Sequence, residues 1–123
     1  MEKLIDTHGQ SFYYATLEGF VDNIGDKNKC AIILAHDDWS VFFEKASHLL
    51  GESINQVIVI GKNVNQLHAK TKDIRNVFII SAISLKDATQ IALNSSSFSK
   101  NVVYISSISS GQSISDLLSL IVE

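Results

Sequence analysis

Proline is absent from this chain, and cysteine occurs once. Without proline, loop punctuation falls to Gly, Asn, Asp and Ser. A lone Cys30 cannot close an internal disulfide. That excludes the small disulfide-stapled folds and fits a reducing compartment, so the cytoplasm is the expected location. Charge is also sparse: 19% of residues are Asp, Glu, Lys or Arg, the formal net charge is -3, and neither sign clusters. No basic stripe could follow a phosphate backbone, so nucleic acid is not an expected partner. The apolar runs are too short to span a bilayer and the first residues lack a secretory pattern, so no membrane partner is expected.

What the chain does hold is apolar material, 46% of its 123 residues. That suffices for one substantial core, and a single domain over 1–123 is expected. Four runs rich in β-branched residues stand out: "CAIILAH", "QVIVIG", "NVFIIS" and "NVVYISS". Each is continuous rather than alternating, as expected of parallel strands covered by helices on both faces. "KLIDT" makes a weaker fifth.

Helical spacing fills the gaps. Tyr13, Leu17, Phe20, Val21 and Ile24 form one apolar stripe, and Trp39, Phe42, Phe43, Ala46 and Leu50 form another after Asp38. A shorter helix is expected from Asn63, with Val64 and Leu67 facing inward. Ser84 and Ser113 each precede a stripe with an Asp three residues on, a capping-box signal. The alternation predicts an α/β protein: a three-layer, Rossmann-like open sheet, mainly parallel, with right-handed crossovers and helices on both faces.

In such sheets ligands bind beyond the carboxyl ends of the strands. On this reading those ends are Asp6-Thr7-His8-Gly9, His36-Asp37-Asp38, Gly61-Lys62-Asn63, Ser81-Ala82 and Ser106 through Gly111. Standard motifs are missing there. No G-x-x-x-x-G-K-[ST] cradles a phosphate, and no G-x-G-x-x-G follows a strand. A phosphoreceiver would need Asp and Lys where Gly61 and Ser106 stand. Adjacent residues of an extended segment point apart, so His36, Asp37 and Asp38 make an awkward ligand set. Helix capping by an Asp accounts for them, and no metal site is expected. Cys30 reads as a small core residue, His48 and His68 as half-exposed helix residues, and Phe42-Phe43 as core.

The opening "LIDTHGQSFYYATLEGF" resembles the start of the C-terminal domain of the Mur ligases, ATP-dependent amide-forming enzymes of peptidoglycan biosynthesis. In that family a strand ends in Asp-Ser-Lys-Ala-Thr or Asp-Ser-Tyr-Asn-Ala-Asn, and a helix with an "ALE" turn follows. "KCAIILAHDDWSVFFEKA", "QVIVIGKNVNQL" and "SLKDATQIALNSSSFSKNVVYISS" are similar to its later stretches, in the same order. His8 and Gly9 replace the family's Lys or Tyr and the residue after it, and Ser106 alone remains of its Ser-Pro-Ala-Cys-Ala-Ser stretch. The family's antiparallel strand and His-Arg-x-Glu stretch, which would precede Lys3, have no counterpart on this reading.

The resemblance implies a pocket for the incoming amino acid or peptide. Its candidate substrate-binding residues are Asp6, Thr7, His8, Asp37, Asp38, Ser106 and Ser107. Asp6 and Thr7 would anchor, His8 would face a carboxylate or phosphate, and the serines would lie across the rim. Amide formation needs ATP to activate a carboxylate, which a chain without a phosphate cradle cannot do alone. No catalytic residue and no cofactor is therefore expected here. The partner implied is an ATP-binding ligase domain or a second copy. The alternative is a non-catalytic module binding a protein or small molecule, with Asp6-Thr7-His8 as a capped turn.

Overall fold

Gly9 sets the course of the first strands. Its φ of +78° suits glycine, and on either side of the reversal Thr7 pairs with Gln10. The computed structural model describes residues 2–7, 9–23, 29–34, 39–61, 64–96, 99–105 and 111–122. β1 (Glu2–Thr7) pairs antiparallel with β2 (Gln10–Ala15). There follow α1 (Leu17–Asn23), β3 (Cys30–Leu34), α2 (Trp39–Ala46), β4 (Ile54–Ile60) and α3 (Val64–Thr71). β5 (Phe78–Ala82), α4 (Leu85–Asn94), β6 (Asn101–Ile105) and α5 (Gly111–Val122) complete the chain.

Two expectations are corrected. Tyr13 lies on a strand, not at the head of a helix, because Phe12, Tyr13 and Tyr14 favour extended backbone once Gly9 has turned the chain. The helical stripe begins only after Thr16, whose Oγ1 accepts a hydrogen bond from the Gly19 N–H at 3.1 Å. The last helix starts at Gly111, so Ser113 lies inside it rather than before it. At α4 the capping reading holds: Ser84 Oγ accepts from the Asp87 N–H at 3.1 Å, and Asp87 Oδ2 accepts from the Ile83 N–H.

This is an α/β protein with a six-stranded, mostly parallel sheet in the order β1-β2-β6-β3-β4-β5. Ser11, Asn101 and Cys30 stand side by side at the amino edge of the parallel strands, and Ala15, Ile105 and Leu34 at the carboxyl edge. Side chains along the strands alternate between two buried clusters. Ile32, Val57, Val59 and Val103 join Phe20 of α1, Phe42 of α2 and Leu67 of α3. Ile33, Ile58, Val102 and Tyr104 join Ala88 and Ala92 of α4 and Leu117 and Ile121 of α5. Removing this apolar surface from water is the main stabilising term.

Candidate functional site

The antiparallel course of β1 decides where the opening corner lies. Asp6 pairs with Ser11 and Thr7 with Gln10, both at the start of β2. The corner therefore sits at the amino edge of the parallel strands. The strand ends at Leu34 and Ile105 lie at the other edge. The expectation that one rim gathers all the candidate residues is overturned, because a hairpin rather than a crossover follows the first strand. His8, Asp37, Asp38, Ser106 and Ser107 lie outside the described residues.

At the amino edge, the polar groups of the corner are engaged with one another. Asp6 Oδ2 lies 2.8 Å from Lys3 Nζ, and Asp6 Oδ1 accepts from Ser11 Oγ at 2.6 Å. The Lys3 ammonium, followed by the Ser11 hydroxyl, holds the Asp6 carboxyl below its usual range, and Asp6 in turn raises Lys3. Both side chains are more than half exposed, so water screens the pair. Around them Lys3, Asp6, Thr7, Ser11 and Lys100 line an open depression of about 670 Å³. Such a carboxylate is a poor general base, since its proton affinity is lowered rather than raised.

Beneath this corner lies a buried polar group that sequence reasoning missed. Gln10 Nε2 donates to the carbonyls of Ala92 and Ser99, each at 2.9 Å. Gln56 Nε2 donates to Ser95 Oγ at 3.2 Å, and Ser99 Oγ donates to Asn55 Oδ1 at 3.0 Å. These contacts tie the end of α4 and the approach to β6 onto the starts of β2 and β4. Gln10 Oε1 and Gln56 Oε1 are buried and find no hydrogen-bond partner among the described residues. The available signal was the polar pair Asn55-Gln56 heading an otherwise apolar strand.

At the carboxyl edge, the described hydroxyls of Thr16 and Ser84 are taken up by helix capping. Cys30 is fully buried; its Sγ donates to the Ser53 carbonyl at 3.3 Å, and burial pushes the thiol up to about 12. It is a core residue, not a nucleophile. His48 and His68 are exposed. Among the described residues, no group of three or more His, Cys, Asp or Glu is placed to hold a metal ion. Nor does any helix among them have the length and apolarity to cross a membrane.

No protein-family model matches the chain, and no curated protein matches it either. What the fold defines is an α/β protein with a six-stranded, mostly parallel sheet.

Proposed function

We propose that this chain is a three-layer, Rossmann-like domain of the Mur ligase C-terminal type. It binds an amino acid or short acidic peptide at the carboxyl edge of its parallel strands and performs no ligation by itself. The layering is supported by handedness. The connections β2 to β3, β3 to β4 and β4 to β5 advance toward the β5 edge, whereas β5 to β6 returns. Right-handed crossovers that travel in opposite directions put their helices on opposite faces. The division of α1–α3 and α4 between two clusters accords with that rule.

The observation that carries the functional reading is the reversal around β6. This strand lies between β2 and β3 and leads into α5, whose Leu117 and Ile121 join the second cluster. β2 and β3 lead into α1 and α2 of the first cluster. Adjacent strands that feed opposite layers leave a crevice beyond their carboxyl ends, where ligands of such sheets bind. Asp37, Asp38, Ser106 and Ser107 follow the ends of β3 and β6 in sequence and remain candidates. Asp6 and Thr7 do not.

The Mur resemblance keeps its order of elements but shifts its correspondence. On this proposal the antiparallel β1 is the counterpart of the family's antiparallel strand, and β2, parallel to β6, the counterpart of its first parallel strand. Ala15-Thr16, before Leu17-Glu18, then stand where the family has Asp-Ser-Lys or Asp-Ser-Tyr. The loss of that acid and that lysine favours a second reading, a non-catalytic interaction module. Under the first reading, carboxylate activation by ATP belongs to a separate P-loop domain.

Amide chemical shifts, followed while single amino acids and acidic dipeptides are titrated in, test the proposal. Perturbations are expected at Ala15, Thr16, Leu34, Ile105 and the residues after them. Shifts confined to Asp6, Gln10 and Lys100 would reject this edge. No shift up to about 10 mM, far weaker than a useful site, would leave the interaction module.

A further inference from the structure

We draw no further inference here: the strongest candidate, the open depression at the amino edge of the sheet lined by Lys3, Asp6, Ser11 and Lys100, carries nothing, because Lys3, Asp6 and Ser11 are engaged with one another and nothing in the structure shows what would cover it.

Discussion

At Cys30, burial alone decides the chemistry. A thiol held near 12 is protonated at neutral pH, and only the thiolate attacks. Gly51 shows the complementary case, in which backbone rather than side chain sets the requirement. Its φ is +85°, and a Cβ added there would come 2.2 Å from the Arg75 carbonyl oxygen. Its N–H also donates to the Ile54 carbonyl at 2.8 Å, anchoring the entry to β4. Gly51→Ala must strain the turn and displace the Ile74–Arg75 backbone together. The expected loss is about 2–4 kcal/mol of stability, read as a lower urea midpoint at unchanged slope. A loss under about 0.5 kcal/mol, the size of an ordinary surface substitution, would show that the segment before β5 yields freely. Neither position announces itself in the sequence, because one is a small apolar residue in an apolar run and the other one of six glycines.

At the scale of elements, the buried parallel strands were legible because double-sided burial leaves continuous runs such as Cys30–Leu34. The hairpin was not. Tyr13, Leu17, Phe20 and Val21 happen to fall at helical spacing, and that period masked the strand formed by Phe12, Tyr13 and Tyr14. Gly9 ahead of three consecutive aromatics was the signal that favoured a turn into a strand. Reading it would have moved Asp6 to the amino edge at once. The Lys3–Asp6 pair of this hairpin also fixes the sign of a pH effect. A carboxyl lowered in the folded state adds stability above its unfolded value, near 3.8, and loses it as the pH falls through the folded value. Lys3, raised above 10.5, contributes below that value and loses its contribution as the pH rises through the folded one. Asp6→Asn is therefore expected to lower the urea midpoint slightly near neutral pH. The difference should vanish in acid, where both proteins carry a neutral side chain. A difference that persists unchanged in acid would assign the effect to geometry rather than charge.

For the whole molecule, the question is whether two clusters on one sheet behave as one cooperative unit. They share every central strand: Ile32 and Ile33, Val57 and Ile58, and Val103 and Tyr104 point alternately into one and the other. A cavity in either cluster should therefore be felt by both. Leu117 of α5 is fully buried in the second cluster. The only tryptophan, Trp39, is on α2, whose Phe42 and Ala46 belong to the first. Leu117→Ala removes buried apolar volume and should cost about 2–5 kcal/mol. In a domain of this size that lowers the melting temperature by roughly 10 °C or more. If the sheet couples the clusters, Trp39 fluorescence and far-ultraviolet dichroism will report the same lowered midpoint. A fluorescence midpoint that stays put while the dichroism transition broadens or splits would mean that the α4–α5 side unfolds separately. Coupling through shared strands also bears on the proposed ligand edge. The carboxyl ends of β2, β6 and β3 are held together by the Ala15, Ile105 and Leu34 register, so a cavity beneath α5 should disturb that edge without touching it.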